Sequence, residues 1–197
     1  MHGNKITARI HTQGQCVIYE PDFMPYNLFL DDTEEDIDTL VSNITNFYYW
    51  CASRMLTLDR KYVKEILNSI GAVQAMTDRE RAQIALAYRC VSLMDIYWVR
   101  EEGDNITFDQ INLYENHLDN AFVEVALRGK QMSVQNESLA RDLFTRGCFP
   151  KAWVRREQGF QLLKDGDKAA VENEILASKV CQCFRCSQVL YQAVSYT

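Results

Sequence analysis

The chain has 197 residues, enough for one large domain or two small ones, and 47% of them are hydrophobic, so a core can form. Lys and Arg number 21 against 27 Asp and Glu, a formal charge of -6, which disfavours a generic basic grip on nucleic acid and leaves open a local basic patch or a basic protein partner. No apolar run approaches the ~20 residues needed to cross a bilayer, and the opening "MHGNKITARIH" lacks a signal-peptide apolar core; a soluble, cytoplasmic protein is expected.

In chain order, "KITARI" and "QCVIYE" read as a strand pair joined by "HTQG", with Gly14 in the turn. Two of the three prolines in "EPDFMPY" then break regular structure. "DDTEEDIDTLVSNITNFYYWCASRML" is the clearest helix. Thr33 is placed to cap it, with Asp36 three residues on, and Ile37, Leu40, Val41, Ile44 and Phe47 recur at helical spacing, widened by Tyr48. Phe47 and Trp50 read as core or interface rather than base-stacking platforms. "LDRKYVKEILNSIG" is a second helix, with Asp59 as cap, Tyr62, Val63, Ile66, Leu67 and Ile70 as apolar face, and Gly71 as stop.

"TDRERAQIALAYRCVSL" is a third helix starting near Thr77, and "DIYWV" a short strand. "TFDQINLYENHL" and "NAFVEVALRG" are shorter helices, the second ended by Gly129. The polar, aperiodic "KQMSVQNES" marks a boundary. Beyond it "KAWVRREQGFQLLK" is two strands around Gln158-Gly159, "AAVENEILASKVCQCF" is a helix and "SQVLYQAVSYT" a further strand. The expected class is therefore α+β: a mainly helical domain over residues 1–130 with a short strand pair at its start, then a small antiparallel sheet with one helix over 131–197.

Cys16, Cys51, Cys90 and Cys148 have no regular spacing and read as small buried hydrophobes. In "CQCFRC", Cys183 and Cys186 have knuckle spacing with Cys181 beside them, but no second pair or nearby His completes four zinc ligands, so no metal is expected. Nucleophile-elbow, P-loop and dinucleotide fingerprints are absent from the sequence. Glu34–Glu35 and Glu101–Glu102 are adjacent and diverge on a helix. Arg79, Arg81, Arg155 and Arg156 could touch a phosphate backbone, although solvated faces are the simpler reading. His117 reads as a helix-surface residue.

The strand "FQLLK" poses the sharpest question. Phe160, Leu162 and Lys164 share one face, Gln161 and Leu163 the other. A lysine at a strand end is usually solvated, its stem covering apolar surface. The alternative is the protein-kinase device, in which a strand lysine grips nucleotide phosphates and a glutamate on the next helix orients it. Glu172 and Glu174 are both available, and helical spacing does not choose between them.

The stretch "RGCFPKAWVRREQGFQLLKDG" with "AVENEILASKVCQCF" resembles the small lobe of HipA-like serine/threonine kinases. "YRCVSLMDIYWVREEGDNITFDQINLYENHLDNAF" is similar to the amino-terminal region of small bacterial members, with Ser-Leu-x-Asp-x-Tyr-Trp and then "INxxxN". The resemblance covers most of residues 47–190. It implies that Gly147, Pro150 and Lys151 form the nucleotide loop, that Lys164 is the nucleotide lysine and that Glu174 is its partner; Phe149 stands where the pattern prefers Gln.

A kinase also needs an aspartate at the substrate hydroxyl and an asparagine and aspartate on magnesium. No histidine of this sequence stands in a D-x-H or H-x-D context, and nothing resembles that constellation. The expectation is a complete, non-catalytic HipA-kinase-like protein without cofactor that works by binding a protein, in the form of a mobile-element inhibitor of a host defence enzyme, anti-CRISPR-like. The alternative is the amino-terminal piece of a longer kinase, which would bind ATP and magnesium but be inactive without its second lobe. A nucleic-acid-binding module is the third reading.

Overall fold

The computed structural model describes residues 1–69, 77–115, 148–157, 159–184, 187 and 189–194. The fold is α+β: among the described residues, five helices accompany two antiparallel two-stranded sheets. Strands β1 (Ala8–Ile10) and β2 (Cys16–Ile18) pair with Arg9 opposite Val17. Gly14 turns the chain between them at φ +99, and a Cβ there would lie 2.3 Å from the Leu40 carbonyl oxygen. Only glycine meets both demands. A single 3-10 turn, Pro21–Phe23, follows.

Helix α1 runs Ile37–Ser53 and starts later than expected, because Asp36 rather than Thr33 caps it by accepting from Thr39 N at 2.9 Å. Thr33 instead donates to Asp31 Oδ1 through both its N and its Oγ1. The buried face also differs. Ile37 is 78% exposed and Val41 57% exposed, while Asn43 is only 2% exposed. Asn43 accepts from Asp31 N at 2.8 Å and donates to Asp31 O at 2.8 Å and to Gly14 O at 3.0 Å. It thereby satisfies two loops that have no sheet partners of their own. Further along α1, Trp50, Cys51 and Ala52 enter the main core.

Helix α2 (Val63–Ser69) supplies Ile66 and Leu67 to that core. It opens after Tyr62, at φ 65, and not from Asp59. Helix α3 (Asp78–Ala87) begins at the capping box of Thr77 and Glu80 and buries Ala82 and Ala85. It ends at Ala87, short of the expected Leu93. Arg89 and Cys90 take left-handed backbone at φ 56 and 54, and Cys90 N closes the turn on Ala85 O at 2.8 Å. Arg54 holds this turn in place: Nε donates to Cys90 O, and Nη1 and Nη2 grip Asp95 at 3.0 and 2.8 Å. Residues 95–99 are therefore a loop carrying one bridge, His2 to Tyr97, and not a strand. Their shape is fixed by Arg54 and by Trp98 Nε1 donating to Gly3 O at 2.7 Å.

Helix α4 is a single turn, Phe108–Ile111, shorter than the helix expected through Leu118. Strands β3 (Lys151–Arg156) and β4 (Gly159–Lys164) form the expected hairpin, with Lys151 opposite Lys164 and Ala152 opposite Leu163. Ala152 and Val154 on its inner face join the core built by α1, α2 and α3, with Leu163 packed against them. Helix α5 (Lys168–Cys181) follows, capped by Asp167. Residues 187 and 189–194 form no strand, contrary to expectation; Val189 and Tyr191 are tied to α5 through the Ser178 hydroxyl. Ile70, Gly71, His117, the helix ended by Gly129, the boundary at 130–138, Gly147 and Cys186 lie outside the described residues.

Candidate functional site: the Lys164–Glu174 clamp

The site is assembled by the hairpin, α5 and the segment after it. Alternation along β3 and β4 puts Ala152, Val154, Gln161 and Leu163 on one face and Lys151, Trp153, Leu162 and Lys164 on the other. The first face joins the core. The second turns toward α5. Asp165 and Gly166 make the turn, tied back by Asp165 N donating to Pro150 O at 2.9 Å. Asp167 Oδ1 then accepts from Ala170 N at 2.8 Å and starts α5.

Nearly two helical turns into α5, Glu174 meets the strand lysine. Lys164 Nζ donates to Glu174 Oε1 at 2.9 Å and to Oε2 at 3.1 Å. Glu172, which spacing alone left as an equal candidate, is instead an exposed partner of Lys168 at 3.7 Å. A third element completes the clamp. Tyr191 stands with its ring centroid 5.0 Å from Lys164 Nζ and its hydroxyl at 3.4 Å. Buried Ser178, one turn beyond Glu174 on α5, holds it there: Ser178 Oγ accepts from Tyr191 N at 3.2 Å and donates to Val189 O at 3.5 Å. Burial pushes the Lys164 ammonium toward release of its proton, but the hydrogen bonds it donates to Glu174 and Tyr191 outweigh it and the pKa lies above the usual 10.5.

Lys151 sits directly across the hairpin and is 7% exposed. Its pKa is lowered, first by burial and then by the charges of Arg60 and Lys164. Its carbonyl accepts from Arg60 Nη2, and Lys61 N donates to Cys148 O at 2.8 Å, so α2's approach fixes the loop before β3. Phe149 packs against Gly166, where a Cβ would lie 4.0 Å from the ring. The position where the family pattern prefers Gln is thus an apolar lid on the turn.

Lys164, Glu174, Phe149, Gly166 and Tyr191 line a cleft of about 310 Å³. Of the residues assigned by resemblance, Lys164 and Glu174 meet. Pro150 and Lys151 stand behind them without lining the cleft, and Gly147 is outside the described residues. Asp165 and Glu174 are the carboxylates of the described lining, and no asparagine joins them. Tyr191 and Ser178 were not singled out in the sequence. The available signal was Ser178, four residues after Glu174 and therefore on the same face of α5.

The other candidates have local roles. Arg81 pairs with Asp78 at 2.9 Å and donates to Ala52 O, while Arg155 donates to Glu115 O and remains exposed, as Arg79 and Arg156 do. Cys181 and Cys183 are exposed. Among the described residues no three His, Cys, Asp or Glu side chains gather as a metal site, and no helix is long and apolar enough to cross a membrane. No family model, no curated protein and no solved structure matches the chain.

Proposed function

We propose that this chain is a non-catalytic, HipA-kinase-like binding protein of the cytoplasm whose partner is a protein. The observation that carries the reading is the state of the clamp. The Lys164–Glu174 pair is an arrangement that a kinase clamp also uses; what supports binding without catalysis is Tyr191 of the same chain, whose hydroxyl stands 3.4 Å and whose ring centroid 5.0 Å from Lys164 Nζ, where it would have to give way to a phosphate. Among the described residues, the lining of the cleft beside it contributes Asp165 but neither the asparagine nor the second aspartate with which kinases hold magnesium.

The surface supports a basic partner. Asp31, Asp32, Glu34, Glu35, Asp36 and Asp38 are all exposed at the head of α1, beside exposed Phe29, Ile37 and Val41. A dense acidic run next to apolar side chains suits docking to a cationic surface, such as the nucleic-acid groove of an enzyme. Inhibition of a host defence enzyme by a mobile-element protein is the form of the proposal that this charge pattern favours.

A second reading, a kinase segment that binds ATP, is favoured by the cleft next to Lys164. Calorimetry with ATP and magnesium separates the two. The binding-protein reading expects a dissociation constant weaker than ~1 mM, about -4 kcal/mol, and no label transferred from ATP to protein substrates. Micromolar ATP binding that disappears in Lys164→Met would replace it with the kinase reading.

A further inference from the structure

The apolar stripe along α1 is largely unused by the protein's own core. Ile37, Val41, Ile44 and Tyr48 stand four, three and four residues apart, the a/d spacing of a helix that packs against another helix. The chain covers α1 elsewhere. Asn43 and Asn46 hold the loop at residues 29–31, Gly14 lies against the Leu40 carbonyl, and Trp50, Cys51 and Ala52 enter the core. Ile37 is left 78% exposed, Val41 57% and Tyr48 37%, with Ile44 half-buried between them. Single exposed apolar residues are ordinary, but a continuous stripe of them marks a surface that meets a partner.

The second half of the stripe is one wall of a cleft of about 660 Å³, whose other wall is β1 with Ile6, Ala8 and Ile10. Stripe and cleft form an apolar trough that runs roughly 16 Å from Ile37 to Tyr48, about three helical turns. Its charge is one-sided. No Lys or Arg occurs between Arg9 and Arg54, and Arg9 is paired with Glu102. Asp31, Asp32 and Asp36 serve the fold by accepting from Thr33 N, Ile18 N and Thr39 N. Glu35 and Asp38, on either side of Ile37 and Asp36 in the chain, are exposed, and among the described residues their side chains have no hydrogen bond or ion pair. The helix dipole favours carboxylates at this end, but it does not call for the apolar stripe that leads away from them.

We infer that α1 docks a basic amphipathic helix of the partner protein, with its apolar side chains on Ile37, Val41, Ile44 and Tyr48 and its lysines or arginines over the acidic head. The inference rests on the binding-protein reading above and names the element that the partner brings. A second copy of this chain is the poorer occupant, because its own α1 would add carboxylates and no cation.

The probe is a fluorescein-labelled helix of about 15 residues, with leucines at its a and d positions and lysines elsewhere, followed by anisotropy in about 0.15 M NaCl. It should bind saturably and at least about tenfold more tightly than the same helix with glutamates for lysines, or than oligolysine of equal charge. Ile37→Ser with Val41→Ser should weaken it at least about fivefold; both side chains are exposed, so the fold is kept. Glu34→Gln, Glu35→Gln and Asp38→Asn together should narrow the gap between the basic and acidic helices. Leu176→Ser, an exposed apolar position on α5, should change nothing. No saturable binding, oligolysine binding as tightly as the helix, or indifference to the Ile37/Val41 pair would each overturn the assignment, as would a dimer in sedimentation that Val41→Ser dissolves. Micromolar ATP binding would sink the functional reading with the trough intact, whereas a silent basic helix sinks the trough and leaves that reading standing.

Discussion

Removing either partner of the Lys164–Glu174 pair should destabilise the protein unequally, and the inequality follows from Lys151. At about 3 Å two unit charges attract by roughly 1.4 kcal/mol at the dielectric constant of water and by several times more in a protein-like medium. Screening and side-chain ordering remove part of this, leaving ~0–1 kcal/mol for an exposed pair. Breaking a buried pair costs about 3–5 kcal/mol. Here the lysine is 30% and the glutamate 41% exposed, which places the pair near the surface limit. A coupling of about 1 kcal/mol is therefore expected, or roughly 2–4 °C in melting temperature for a chain of this size. Lys151 then breaks the symmetry. Glu174→Gln leaves Lys151 and Lys164 opposed across the hairpin with their shared counter-charge gone. Lys164→Met removes one of those two cations and keeps the apolar stem. Glu174→Gln should thus cost more than Lys164→Met, and the double variant less than the sum. Urea denaturation of the four proteins measures all three differences. Raising NaCl to about 0.5 M should shrink the coupling, because the pair is partly solvated. Additive losses, or a larger cost for Lys164→Met, would refute the assignment of Glu174 as counter-charge to both lysines.

Asn43→Ala should lose about 2–4 kcal/mol, because it strands Asp31 N, Asp31 O and Gly14 O around a buried site; Asn46→Ala, which removes one exposed bond to Phe29 O, should lose under about 1 kcal/mol in the same denaturation assay. Acid should destabilise the protein through Asp31, Asp36 and Asp104, whose folded-state pKa values lie below 3.8 because of hydrogen bonds from Thr33, Thr39 and Ile106 N respectively. A carboxylate with a depressed folded pKa contributes in full above its unfolded value and loses that contribution as pH falls through the folded one. Melting temperature should therefore drop below about pH 4, and less steeply in Asp36→Ala, whose share is already gone.

The hairpin, α5 and the start of α3 at Thr77 were legible in the sequence, because each rests on local pattern such as strand alternation and a capping box; the choice of Glu174 over Glu172 was not, since helical spacing left both open and only the kinase resemblance preferred Glu174. The misreadings have a common cause. Periodicity along α1 marks an apolar stripe but not which side the rest of the chain covers. Asn43 and Asn46 recruit the loop at residues 29–31 to their own side, and Ile37 and Val41 are left in water. The early end of α3 has no local signature, since neither Arg89 nor Cys90 is a usual left-handed residue. It is imposed from 36 residues away by Arg54, whose guanidinium binds Cys90 O and Asp95 together. The same contact turns the expected strand at 95–99 into a loop. Tyr191 was illegible for a related reason. Its segment looked like a strand, and what seats it is one hydroxyl, Ser178, on a neighbouring helix.

Tyr191 raises the question of whether it is the obstacle to phosphate at Lys164. Its cation–π contact at 5.0 Å contributes ~0.5–1 kcal/mol at a site this exposed. The hydroxyl contact at 3.4 Å is long, and adds at most about 1 kcal/mol. Displacing the ring therefore costs about 1–2 kcal/mol, a factor of roughly 5–30 in affinity. The difference between a millimolar and a micromolar ligand is about 4 kcal/mol. Tyr191→Ala should then tighten ATP binding by no more than that factor, from weaker than ~1 mM to still weaker than about 30 µM, because the described lining of the cleft still offers no asparagine to magnesium. Calorimetry on Tyr191→Ala reads this directly. A variant that binds ATP at low micromolar concentration would mean that a single ring had been masking a competent nucleotide site, and the clamp would have to be read as a gated cleft instead of a satisfied structural pair.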